Sequence, residues 1–215
     1  MIRYELLGDL FLYPSEEVKA KICDVQKYLD ENFLIVSDLL RDFSEFVKMT
    51  SLKEWEEIYT RTFDVQAITT LDLGYVVFGD DYKRGELLVN LGNEHKAANN
   101  DCGTELADHL TNLLRLINKT ADSELKHDLI YYIIKPALKK IILEFDKDSI
   151  NGKNKVHEKH HRTLIEQNEI NRLIYQKPLL AILELIRIAF PDEQNTFPEE
   201  KDFAKEISNE LEIQS

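Results

Sequence analysis

Residues 51–63 read Ser-Leu-Lys-Glu-Trp-Glu-Glu-Ile-Tyr-Thr-Arg-Thr-Phe. Ser51 followed three residues later by Glu54 has the form of a capping box, in which each side chain reaches the other's backbone N–H at the start of a helix. Trp55, Ile58, Tyr59 and Phe63 then recur at intervals of three and four, which places them on one helical face. A half-buried strand would need apolar residues at alternate positions, so this stretch reads as a helix with a buried aromatic side.

The same period extends in both directions. Toward the N-terminus, Leu39, Leu40, Phe43, Phe46 and Val47 form one stripe and Val18, Ile22, Val25 and Leu29 another, the latter opened by Ser15 as N-cap with Glu16 and Glu17 in the first turn. Ile2, Leu6, Leu7, Leu10 and Phe11 predict an amphipathic first helix that stops at Tyr13-Pro14. Arg3, Glu5 and Asp9 interrupt that segment and no small-residue cleavage site follows, which argues against a secretory signal.

Downstream, Gly74-Tyr75-Val76-Val77-Phe78 would pass for a strand in isolation, yet no partner strand is found elsewhere. A lone strand leaves its backbone groups unpaired, so the segment reads as a helix end or a packed connection. Asp80 and Asp81 cap a helix with Leu87, Leu88 and Leu91 inward, and Asn99 to Gly103 reads as a polar loop. The next helix is expected from near Thr104, burying Leu106, Leu110, Leu113, Leu114 and Ile117. A long apolar stripe from Leu125 to Phe145 contains Pro136, which removes a backbone donor and predicts a kink or a break.

Asp146 to Lys155 is polar, contains Asn151-Gly152, and reads as an exposed hinge before two last helices, His157 to Gln176 and Pro178 to Phe190. Beyond Pro191, eight acids face two lysines, the composition of a mobile or loosely docked tail. The expected architecture is therefore an all-α, single-domain helical bundle over residues 1–190, with a polar hinge near 146–156 and an acidic tail over 191–215.

Composition agrees. Apolar residues make up 43% of the 215 and charged residues 31%, with only 7 Gly and 5 Pro, which suits a charged-surface helical protein with a sizeable core. The net charge of -13 repels phosphate backbones and anionic lipid, which disfavours nucleic acid as a partner, while it draws basic peptides at long range. Cys23 and Cys102 stand far apart with no second ligand beside them, so neither a disulfide framework nor a thiolate metal site is indicated. With no uncharged apolar run long enough to span a bilayer, the chain is expected to stay in the cytoplasm.

Three constellations could carry function. Glu105, Asp108 and His109 fall on adjacent parts of one helical turn, with Leu106 and Leu110 toward the core, which would leave two carboxylates and an imidazole facing outward. Such a group suits an arginine or the amide-rich backbone of an extended peptide. Tyr59, Phe63 and Asp64 end the helix read first, and a carboxylate beside that apolar run needs a cation, for which Arg61 and Arg84 are the candidates. The turn Gly79-Asp80-Asp81-Tyr82-Lys83-Arg84-Gly85 lacks the lysine and hydroxyl of a Walker motif, so phosphate binding has no support there.

The order Tyr59, Phe63-Asp64, Gly79 to Gly85, then Glu105 to Leu110 resembles the TorD/DmsD/NarJ family, cytoplasmic maturation chaperones of molybdenum-containing oxidoreductases. The resemblance covers Tyr59 to Leu114 well and the N-terminal helices loosely. It implies a TorD/NarJ-like helical fold, no enzymatic activity and no cofactor of its own. The implied partner is the N-terminal leader of a molybdopterin-dependent catalytic subunit, held while the molybdenum cofactor is inserted. Apart from the resemblance, the sequence leaves open a monomer or a dimer swapped through the Asp146 to Lys155 hinge. The implied leader-binding residues are Tyr59, Phe63, Asp64, Arg84, Glu105, Asp108 and His109. Ala107 and Thr111 stand where many members carry proline, and Gly85 after Arg84 is expected to permit close helix contact.

Two other classes compete. His157-Glu158-Lys159-His160-His161 matches HExxH, which would make His157 and His161 zinc ligands and Glu158 a general base. The pattern is short, arises often by chance, and here sits in a basic, polar context with no obvious third ligand. A general helical adaptor with no link to redox enzymes is the other alternative. No serine or cysteine stands beside a base in a recognisable setting, so covalent catalysis has no sequence support.

Overall fold

The computed structural model describes residues 2–158 and 173–191, with side chains described for 2–146 and 173–191. Helix α1 (Tyr4–Gly8) runs into a 3-10 turn at Asp9–Phe11 and is followed by α2 (Glu16–Asn32), α3 (Leu34–Met49) and α4 (Leu52–Phe63). Then come α5 (Leu73–Phe78), α6 (Tyr82–Ala97), α7 (Leu110–Lys119) and α8 (Ser123–Asp128). A π-helical turn at Leu129–Ile134 leads into α9 (Lys135–Glu158), and a 3-10 turn at Leu173–Tyr175 opens α10 (Gln176–Ala189). The architecture is an all-α single-domain bundle.

The helix starts follow their sequence signals. Ser15 Oγ accepts from Val18 N at 3.1 Å, Ser51 Oγ from Glu54 N at 3.4 Å, and Asp81 Oδ1 from Lys83 N at 2.9 Å. Each satisfies one backbone donor that the first helical turn leaves over. Helix α2 packs on α3, α10 lies against α3 and α9, α1 lies against α7, and α5 sits between α6 and α9. At the centre, Phe11, Phe43, Tyr59 and Phe63 surround Tyr175 with ring centroids 5.0–6.5 Å away. Trp55 Nε1 donates to the Tyr175 hydroxyl at 2.8 Å, so the buried phenol is paired and the start of α10 is tied to α4.

Gly74 to Phe78 is helical, as the missing partner strand required, and among the described residues the one isolated β pairing joins Asp72 to His109. The helix expected from Thr104 instead begins at Leu110, and Leu106 is half exposed. The backbone ahead of Leu110 is diverted by that bridge: Leu73 N donates to Asp108 O at 3.0 Å and Leu110 N to Leu71 O at 2.8 Å. These bonds between distant segments replace the i to i−4 bonds a helix would have formed there.

Pro136 is the second residue of α9, in its first turn, where a missing N–H costs no helical bond. The wider turn at Leu129–Ile134 precedes it. Asp146 to Lys155, expected as a hinge, is continuous α9 backbone. Residues 159–172, which make up most of the helix expected over His157 to Gln176, and the acidic tail after Pro191 lie outside the described residues. No helix of the described residues is long and apolar enough to cross a membrane.

Candidate functional site

The end of α4, the Thr70 to Asp72 connection and the loop before α7 enclose an open cleft of about 370 Å³. The bridge between Asp72 and His109 closes one side of it, because it holds two segments together that no helix contact would. Tyr59 and Phe63 supply the aromatic floor, their rings edge to face at 5.2 Å, and Tyr13 stands against Tyr59 at 5.4 Å. Tyr59 donates its hydroxyl proton to Phe11 O at 3.1 Å, which fixes the ring, and burial raises its pKa so that the phenol stays neutral.

Asp64, Asp72 and Glu105 are the charged residues of the lining. Asp64 is exposed at the C-terminal end of α4, where partial burial raises its pKa. Asp72 is half-buried, and its pKa is raised first by burial and then by the charge of Asp108, against the opposing pull of Arg84. Glu105 is exposed on the loop.

Arg84 stands behind this cleft and does not line it. Its Nε donates to Asp108 Oδ2 at 3.0 Å and its Nη2 to Asp72 Oδ2 at 2.9 Å, with the guanidinium over the Tyr75 ring at 5.3 Å. Asp108 is fully buried, and its Oδ1 has no hydrogen-bond partner among the described residues. Two carboxylates thus share one guanidinium, so the group keeps a surplus negative charge whose solvent-facing member is Asp72.

His109 is almost fully buried and caps α7 by accepting from Thr111 N on Nδ1 at 3.3 Å. Burial pushes its pKa below the ordinary value, outweighing the pull of Glu105 and Asp108 toward the charged form. An imidazole that accepts on Nδ1 while neutral carries its proton on Nε2. The loop itself is pinned from behind: His95 donates from Nε2 to Ala107 O at 2.9 Å and accepts on Nδ1 from Asn100 Nδ2 at 2.9 Å. Asn112 Nδ2 reaches back to Leu106 O at 2.9 Å and Cys102 O at 3.2 Å. Burial also lowers the pKa of His95, which suits its neutral, donating tautomer.

Of the seven residues singled out in the sequence, Tyr59, Phe63, Asp64, Glu105 and His109 border the cleft together. Arg84 and Asp108 do not. Asp108 points inward, opposite to the outward-facing position expected of it, because the residues around it are loop and not helix. Arg84 goes to Asp72 and Asp108 and not to Asp64, while Arg61 pairs with Glu57 one turn back at 2.8 Å.

The expected close contact at Gly85 is also absent, since a Cβ there would meet nothing within 4 Å. The close approach is at Gly74, where a Cβ would fall 2.5 Å from Asp108 Oδ2. Sequence reading missed Tyr13, Thr70, Leu71 and Asp72 as lining residues. Asp72 carried a usable signal, an acid between Leu71 and Leu73 that had to find a cation. The HExxH match at His157 to His161 lies outside the described side chains. Among the described residues no group of three His, Cys, Asp or Glu is placed to hold a metal ion. Neither the known family models nor the curated proteins include a match to this chain.

Proposed function

We propose that the protein is a chaperone that binds the basic, partly apolar N-terminal leader of a molybdopterin-dependent catalytic subunit and holds that subunit for cofactor insertion. The observation that supports this reading is the cleft itself: five residues carrying the TorD/DmsD/NarJ resemblance border one opening with an aromatic floor and only acidic charge. An aromatic floor offers contact area to apolar leader residues, while the carboxylates select basic ones and speed their encounter. The chain's charge of -13 acts in the same direction over longer distances. In this role the protein works in the cytoplasm, ahead of assembly or export, and performs no bond chemistry.

The reading is tested by capturing partners of the tagged, full-length protein from its native cell and identifying them, alongside Asp64→Asn and Glu105→Gln variants. Recovery of one molybdoenzyme catalytic subunit, reduced in both variants, is the expected result. Its absence, or an unchanged molybdoenzyme activity when the gene is deleted, overturns the chaperone reading. Zinc bound at one per chain in the purified protein would move the hydrolase alternative ahead.

A further inference from the structure

We infer that the cleft takes the side chain of a single arginine from an extended peptide, guanidinium toward Asp64, Asp72 and Glu105, with that residue's own carbonyl oxygen accepting from His109 Nε2–H. This deepens the chaperone reading and relies on it only for the source of the peptide.

Three independent features of the site lead there. The first is charge. The carboxylates of Asp64 and Glu105 have no ion-pair or hydrogen-bond partner among the described residues, and Asp72 shares its arginine with Asp108. A cation entering the cavity is attracted by all three carboxylates, two of which have no cation of their own. The second is shape. The Tyr13 and Tyr59 rings meet at 73° and Phe63 stands edge to face with Tyr59, so the cleft is walled by aromatic rings whose electron-rich faces attract a cation. A planar, weakly hydrated guanidinium stacks on such rings and spreads its donors in a fan that several carboxylates can share, which a compact ammonium does less well.

The third is the donor. His109 is 5% exposed and lines the cleft, its Nδ1 is committed to Thr111 N, and no partner among the described residues takes the proton on Nε2. The Nε2–H is not sealed in the core but opens onto the cleft, where it can donate to a ligand's acceptor, so the site suits an acceptor as well as a cation. A free guanidinium compound supplies only the cation. An arginine residue within a chain supplies both, because its side chain and its own carbonyl leave the same Cα.

The test uses the full-length protein and two blocked pentapeptides, acetyl-Ala-Ala-Arg-Ala-Ala-amide and the same peptide with citrulline, titrated by calorimetry. Citrulline keeps the shape of arginine and removes its charge. The arginine peptide is expected to bind at least about tenfold more tightly, the scale of one charge-assisted contact with cation–π support. Asp64→Asn and Glu105→Gln, both at exposed positions that leave the fold intact, are expected to reduce that preference about threefold to tenfold each. Asp80→Asn, at an exposed acid outside the lining, is the control and should change nothing. In the ¹⁵N spectrum of the imidazoles, the His109 Nε2 signal should move with the arginine peptide.

Equal binding of the two peptides overturns the inference, as does no binding of either, or a loss in Asp80→Asn matching that in Asp64→Asn. The two proposals fail separately. Capture of a molybdoenzyme subunit without arginine preference removes the arginine subsite and leaves the chaperone. Arginine preference without such capture does the reverse.

Discussion

Gly74→Ala sets two effects of opposite sign against each other. Within a helix interior alanine is favoured over glycine by about 1 kcal/mol, so on propensity alone α5 should gain. The new Cβ, however, would stand 2.5 Å from Asp108 Oδ2, 3.0 Å from Leu87 Cδ2 and 3.3 Å from Asp108 Cβ. Asp108 cannot swing aside at low cost: its side chain is fully buried, and its carbonyl already accepts from Leu73 N at 3.0 Å. The oxygen that must retreat is the one that accepts from Arg84 Nε. Breaking a buried pair of this kind costs about 3–5 kcal/mol, because a charge is left without its partner. The balance is a net destabilisation of about 2–4 kcal/mol.

With a urea slope of about 2 kcal/mol per molar, the unfolding midpoint followed by circular dichroism should fall by about 1–2 M. Gly85→Ala is the comparison. It meets nothing within 4 Å, so it should raise the midpoint by about 0.3–0.5 M through propensity alone. Combined with Asp108→Ala, Gly74→Ala should lose most of its penalty, since both changes act on the same contact. A Gly74→Ala midpoint at or above that of the unchanged protein would refute the placement of Asp108.

Tyr175→Phe removes the hydroxyl that accepts from Trp55 Nε1 and strands a buried donor, so it should destabilise by about 1–3 kcal/mol in urea unfolding followed by the fluorescence of the single tryptophan; an unchanged midpoint would count against that bond. His95 and His109 both have pKa values below the ordinary histidine value, so the unfolded chain binds protons that the folded chain refuses. Stability should therefore fall as pH drops from about 7.5 to about 6, through the unfolded value of about 6.5; a midpoint that stays flat or rises would contradict the neutral imidazoles. Asp64 and Asp72 have raised values and act in the opposite sense on folding, but for the arginine peptide the consequence is direct. Its affinity should weaken on acidification while the pH is still above about 3.9, the ordinary aspartate value, as the carboxylates take up protons, and a pH-independent affinity would contradict the charge reading.

What could be read from the sequence was what repeats. Period and caps located α2, α4 and α6, each with its own start signal and apolar stripe, and period alone located α3, whose N-cap Phe33 makes no side-chain capping bond. The reading went wrong where one segment's conformation is set by another. Thr104 to His109 has helical composition, but the backbone at its end pairs with Leu71 and Leu73, more than thirty residues away in sequence, and no local pattern reports such a bridge. That one misplacement turned Asp108 from a surface acid into a buried one and sent Arg84 to the wrong partner. Asp146 to Lys155 failed for the opposite reason, since polar residues and an Asn-Gly pair read locally as a loop while α9 continues through them. Five of the seven expected site residues still meet, because Tyr59, Phe63 and Asp64 are set by their own helix, whatever conformation Glu105 and His109 adopt.

The two misplaced residues matter for the site without touching its opening. A carboxylate pair sharing one guanidinium is a poor way to stabilise a helical bundle, since apolar residues of similar volume are often as good or better in its place. What it does here is geometric and electrostatic. Arg84 ties the Asp72 connection to the loop that carries Glu105 and His109, so the two walls of the cleft are held at a fixed separation. Because one cation serves two carboxylates, the tie leaves negative charge at Asp72, beside the aromatic floor. Arg84→Met separates these roles. It should loosen the walls and cost about 3–5 kcal/mol by stranding Asp108, whereas Asp64→Asn leaves the tie intact and should reduce only the preference for arginine over citrulline. If Asp64→Asn instead lowered the unfolding midpoint as far as Arg84→Met, the acid at the rim would belong to the scaffold and the separation of wall from ligand contact would be wrong.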